Sequence, residues 1–253
     1  MSGKTQLSES DMNRPAEIES EYKVYKKLND PSYGDITLMQ HPTSKDKIAM
    51  KEKMVNTQDQ FTQEILAVRS RKKLKNEYLL ELKDYSTRKK SDFCSTLYVL
   101  RTFYEYQPNH LKKEILDRKN KGQDFRMEEL THLMYNMVEA GAYLQENGQS
   151  HGDIRPSQIL FSKNGTFKLG DRLHDPSPSP TNQFNNIVAG RDLYMSPMLF
   201  NALKQHKFSV SHNAFKSDVF SLGMTILEAG LMRPLSGVYP DNNKSIEINE
   251  HDL

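Results

Sequence analysis

Residues 149–173 read QSHGDIRPSQILFSKNGTFKLGDRL. Two short apolar runs, ILF at 159–161 and FKL at 167–169, flank the pair Asn164-Gly165. An Asn-Gly pair takes the positive φ values of a tight hairpin turn at low cost, so 159–169 predicts a β-hairpin. Polar and charged residues gather on both sides of it: His151, Asp153 and Arg155 before, Asp171 and Arg172 after. On the N-terminal side, Met127, Leu130, Met134, Met137, Gly141 and Leu144 fall on one helical stripe that stops at Asn147-Gly148. On the C-terminal side, SDVFSLGMTILEAG (217–230) is apolar on nearly every face, which predicts a buried helix with Ser217 as N-cap and Gly230 as stop.

Further toward the N-terminus the composition changes. YKVYKKL, DITLMQ and KIAMKEKM are strand-like runs between Tyr22 and Met54, separated by Asn29-Asp30-Pro31 and His41-Pro42. NTQDQFTQEILAVRSRKKL follows as a helix with Phe61, Ile65 and Val68 on one face. EYLLELKDYS and STLYVLRTFYEY return to strand composition. The expected organisation is therefore α+β in two lobes. Residues 1–20 form a polar tail, 21–106 a β-rich lobe, and 107–253 a mainly helical lobe.

The chain of 253 residues carries 35 basic and 33 acidic side chains, a net charge of +2, which argues against a dedicated nucleic-acid or membrane-surface binder. The basic run RSRKKLK (69–75) reads as a solvated helix end. One cysteine, Cys94, excludes an internal disulfide and suits a reducing compartment; beside a strand it reads as a small buried residue. No apolar run is long enough to span a bilayer, the first twenty residues lack a signal-peptide core, and Ser2 disfavours myristoylation. The expected location is cytoplasmic. No histidine or cysteine spacing suggests zinc.

The order of elements, together with a series of short motifs, resembles the protein kinase fold from about Tyr22 to Gly230. NDPSYGDI resembles the glycine-rich loop, but Asn29 and Pro31 stand for its first two glycines and only Gly34 remains. IAMK, ending at Lys51, resembles the strand whose lysine holds the α- and β-phosphates, and Glu64 is its expected helix partner. HGDIRPSQIL resembles the catalytic loop. There the resemblance makes Asp153 the base, while Gly152 replaces an arginine, Arg155 a lysine and Gln158 the metal-holding asparagine. GDRL resembles D-F-G and its following residue: Asp171 keeps a magnesium ligand, Arg172 replaces phenylalanine and Leu173 the hinge glycine. Ser196-Pro197-Met198 resembles A-P-E. Arg101 is expected at the back of the adenine pocket.

The resemblance implies a kinase-like fold in which phosphoryl-transfer chemistry is lost. The family's last helices find no counterpart before Leu253, so the second lobe reads as truncated. Lys51, Glu64, Gly34 and Asp171 would then be a vestigial nucleotide site, Asp153 and Arg155 a vestigial catalytic pair, and Asp171 with Gln158 the ligands if magnesium binds. The expected role is a scaffold or structural subunit with no cofactor. A protein partner, such as a cytoskeletal lattice, would cover the apolar faces around 127–144 and 217–230. The alternatives are an atypical Ser/Thr kinase using ATP and magnesium, and a pseudokinase that binds nucleotide only. Ser177-Pro178 and Ser179-Pro180 are candidate sites of proline-directed phosphorylation.

Overall fold

The computed structural model describes residues 7–30, 34–91, 96–162, 164–171, 194–205, 207 and 210–235. Pro31, Cys94, Arg172, Leu173, Ser177 and Ser179, each given a role above, lie outside the described residues. The chain divides into two units. One takes in the residues up to Asn76 together with Leu80–Gln107; the other takes in Glu77–Leu79 and the residues from Pro108 onward.

In the first unit, alternating runs form a five-stranded antiparallel sheet. Its strands are β1 (Lys23–Asp30), β2 (Gly34–Gln40), β3 (Lys47–Val55), β4 (Leu82–Ser91) and β5 (Thr96–Glu105), in the spatial order β1-β2-β3-β5-β4. Between β3 and β4 the apolar period lengthens to that of a helix. Helix α3 (Gln58–Lys73) starts at Thr57, whose hydroxyl accepts from Gln60 N, and Phe61, Ile65 and Val68 are each fully buried, as expected. Burial of each such side chain stabilises the fold by roughly 1.5–3 kcal/mol.

Residues 1–20, expected as a polar tail, are from Leu7 onward built into this unit as two short helices, α1 (Glu9–Met12) and α2 (Ile18–Glu21). Ala16, Met39, Ile48 and Phe103 form one buried cluster, with Ile18, Tyr22 and Met50 packed against it. An apolar sheet face of that size needs a cover, and this segment supplies it. The segment also closes the exposed edge of β4. Thr87 N donates to Arg14 O at 2.9 Å, Arg14 N to Thr87 Oγ1 at 2.8 Å, and Lys89 N to Asn13 Oδ1 at 3.0 Å. It ties to α3 as well. Arg69 pairs with Asp11, and Asp84 holds both Arg14 and Lys72. The run RSRKKLK is thus anchored rather than simply solvated, since Arg71 also donates to Leu80 O.

In the second unit, a three-stranded sheet β6 (Asn109–His110), β7 (Ile159–Phe161) and β8 (Phe167–Leu169) contains the expected hairpin, with Gly165 at φ +88°. Helices α4 (Leu111–Lys121), α5 (Met127–Glu146), α6 (Pro197–Lys204) and α7 (Ala214–Leu231) complete it. The buried side of α5 is Leu133, Asn136, Met137, Ala140 and Leu144; Met127 and Met134, placed on the buried stripe from sequence, are exposed. Contacts with α7 and β8 select that side on a helix apolar over more than one face. Helix α7 also begins earlier than expected. Its N-cap is Asn213, which accepts from Lys216 N, rather than Ser217, and it ends past Gly230 at Leu231, with Met232 at φ +53°.

Arg118 joins α4 to α5 through Glu129 at 2.7 Å and is braced within α4 by Glu114 at 2.8 Å. Hydrogen bonds from Arg118, outweighing partial burial, hold the Glu129 carboxyl down from its ordinary 4.5 to about 2. A depressed folded-state pKa adds stability that is complete above the unfolded value and fades as pH falls from 4.5 toward 2. Arg118→Ala is therefore expected to lower stability by about 2 kcal/mol at pH 7 and by little at pH 2.5. Urea unfolding at both pH values checks this, and an equal loss at both would contradict it.

Candidate functional site

The loop that begins at His151 folds around Asp218 of α7. Its Oδ2 accepts from His151 N and its Oδ1 from Gly152 N, both at 2.7 Å. His151 Nδ1 accepts from Asp153 N at 3.2 Å, which leaves the proton on Nε2 to donate to Gly170 O at 2.8 Å. One imidazole and one carboxylate thus fix the loop before the hairpin and the residue that precedes Asp171. Gly152 sits at φ +75°, a conformation that side chains adopt at a cost. An arginine at this position would be strained in this loop.

Asp153 and Arg155 come together as an ion pair at 3.0 Å. Gln158 and Asp171 are both buried, at 1% and 7% exposure. Gly170 N donates to Gln158 O at 2.7 Å, and a Cβ on Gly170 would lie 2.9 Å from that oxygen and 3.2 Å from Gln158 Oε1. The glutamine amide is therefore packed against the backbone at Gly170. Its Nε2 has no hydrogen-bond partner among the described residues. Magnesium asks for near-octahedral oxygen ligation from one or two carboxylates. Asp171 would supply one such carboxylate, and Gln158, its amide packed against Gly170, would be the other side-chain ligand. No group of three or more His, Cys, Asp or Glu suited to a metal occurs among the described residues.

In the first unit, Lys53 makes a 2.7 Å bond to Glu64, the expected partner of Lys51, with the Lys53 and Glu64 side chains only 13% and 17% exposed. Lys51 lies with its ammonium 5.4 Å from the centre of the Tyr104 ring. Lys51 and Lys53 are two residues apart on one strand and so share a sheet face, which sequence spacing alone cannot separate. Gly34 opens β2, and Asn29 donates to Asp35 at 2.8 Å across the end of the β1–β2 pair. Arg101 was expected behind an adenine pocket, but the register places it opposite Glu52, while Lys51 stands opposite Thr102. It therefore faces away from Lys51, bonded to Glu52 at 2.6 Å and Glu19 at 3.1 Å. Hydrogen bonding to Glu52 first, and to Glu19 next, raises its pKa further.

The contributions of Lys53, Gly170 and Asp218 escaped the sequence reading. The repeated lysine in KEK and the glycine directly before Asp171 were the available signals for the first two. Around Ser196-Pro197-Met198, Met198 is exposed, Ser196 Oγ lies 3.3 Å from Ser217 Oγ, and Tyr194 donates to the buried Glu228 at 2.5 Å.

The sequence model for the protein kinase domain matches residues 22–252. Among similar proteins is the membrane-associated tyrosine- and threonine-specific cdc2-inhibitory kinase wee-1.3 of Caenorhabditis briggsae. It is 32% identical over 106 residues, 40% of this chain and 14% of that protein. The Ser/Thr-protein kinase ppk11 of Schizosaccharomyces pombe is 30% identical over 112 residues, 44% of this chain and 33% of that protein. MAP kinase kinase MKK1/SSP32 of Saccharomyces cerevisiae is 32% identical over 108 residues, 43% of this chain and 18% of that protein. The matched parts are at most a third of these relatives' lengths. Matched by the family model over most of its length, with a β-sheet unit and a largely helical one, the chain belongs to the protein kinase domain family.

Proposed function

We propose that this kinase-family chain does not transfer phosphate and serves as a scaffold or structural subunit of a protein assembly. The observation that carries the reading is the packing of Gln158, buried at 1% against Gly170 where the family's catalytic loop holds metal with a shorter asparagine. Pro31 in the glycine-rich loop and Gly152 at φ +75° support it. A partner protein would seat on the outward side of α5, where Met127, Met134, Tyr135 and Val138 are all exposed. No helix among the described residues is long and apolar enough to cross a membrane, and a cytoplasmic, cytoskeleton-linked placement belongs to the same proposal.

The test is thermal unfolding with and without Mg·ATP, beside a phosphoryl-transfer assay. Ligand at one hundred times Kd adds about 2.7 kcal/mol to native stability, a rise of several degrees. No rise and no transfer are the expected results. Transfer abolished by Asp153→Asn would establish the alternative, an active kinase, which the retained His151, Asp153 and Asp171 and the kinases among its relatives favour. A rise abolished by Lys51→Ala, without transfer, would instead make the chain a nucleotide-binding pseudokinase.

A further inference from the structure

Docking of the N-terminal segment on β4 and β5 leaves a hollow of about 300 Å³ between them. Four of its lining residues are cations, Arg14, Arg88, Lys90 and Arg101, against the single carboxylate of Glu19. Two of the four are neutralised locally: Arg14 by Asp84 at 2.9 Å, and Arg101 by Glu52 and Glu19. Arg88 and Lys90 are exposed and form no ion pair with any described residue. Both lie two residues apart on β4, beginning two residues beyond Ser86, so they stand on one sheet face about 7 Å apart. Asn13 also lines the hollow; its Oδ1 is taken by Lys89 N, which leaves its amide N–H groups as donors.

We propose that this hollow binds a phosphate monoester. Two cations with no ion-pair partner among the described residues match the near −2 charge of such a group at pH 7. A guanidinium supplies paired donors to phosphate oxygens, and an ammonium adds a point charge. The site is separate from the face that carries Lys51. Arg101 stands opposite Glu52 while Lys51 stands opposite Thr102, and successive residues of a strand point to opposite faces. The monoester comes either from a phosphorylated side chain of a protein or from a free small phosphate ester. An occupant would bridge the N-terminal segment to β4, stabilising the cover over Met39, Ile48 and Phe103.

The test is thermal unfolding of the full chain, titrated with inorganic phosphate, O-phosphoserine, and a short neutral peptide carrying one phosphoserine. The serine form of the peptide and chloride at matched ionic strength serve as controls. A saturable rise of about 2 °C or more is expected for the phosphorylated probes alone. Arg88→Ala and Lys90→Ala are each expected to weaken the apparent affinity about tenfold. Both side chains are exposed, so the variants should fold normally. Lys26→Ala, on β1 of the same unit, should leave the titration unchanged. Tighter binding of the phosphopeptide than of O-phosphoserine identifies a protein ligand; equal binding identifies a free ester. No saturable rise with any phosphate, or one that survives both substitutions, overturns the proposal.

Discussion

Asp218→Ala is expected to lower the melting temperature by about 10 °C, because one side chain holds two backbone donors of a loop distant in sequence. Both bonds, to His151 N and Gly152 N, are 2.7 Å long and charge-assisted. Bonds of that kind contribute about 1.5–3 kcal/mol each, and alanine leaves both donors without their acceptor. The sum, about 3–6 kcal/mol, corresponds to several degrees per bond in a chain of this size. Asp218→Asn retains one acceptor and turns an amide toward the other donor, so it should fall between wild type and alanine. Amide exchange read at His151 and Gly152 separates this account from a general weakening of α7. Those two amides should lose protection in Asp218→Ala by more than amides in the body of α7. An unchanged melting temperature would contradict the assigned role.

The contrast between what was legible and what was not follows the range of the interactions. Helix α3 was readable because Phe61, Ile65 and Val68 repeat at local helical spacing, and nothing nearby competes with that period. The hairpin was readable because Asn164-Gly165 states its own turn chemistry within four residues. The cap of α7 was misread because Asn213 and Ser217 both carry cap-competent oxygens one turn apart, and only the three-dimensional fold decides between them. On α5, apolar residues occupy more than one side, so the period alone could not reject Met127 and Met134 in favour of Leu133 and Ala140. Neither could it distinguish Lys51 from Lys53, which share one face of β3 and differ by a single step of about 7 Å. Family motifs located Asp153, Gln158 and Asp171 by order along the chain. The close contact of Gln158 with Gly170, and the 3.0 Å pairing of Asp153 with Arg155, are tertiary facts that no motif states.

The N-terminal segment is where the sequence misled most, and it yields the other large effect. Its twenty residues are polar and lack a period, yet Ala16 is only 4% exposed and packs with Met39, Ile48 and Phe103. Ala16→Asp would place a carboxylate in that cluster. Charge burial without a partner costs several kcal/mol, part of it recovered if the group protonates or the segment lifts away. Loss of about 3 kcal/mol or more is expected, with a fall in melting temperature of about 6–12 °C. If the segment lifts, the bonds of Arg14 and Asn13 to β4 open with it, so Thr87 and Lys89 amides should exchange faster. Glu17→Lys offers the matched control, since Glu17 is exposed and its side chain is not part of the buried cluster. A free tail would tolerate both substitutions equally. A covering layer tolerates only the second, because a sheet whose inner face packs on α3 still needs its outer apolar face removed from water.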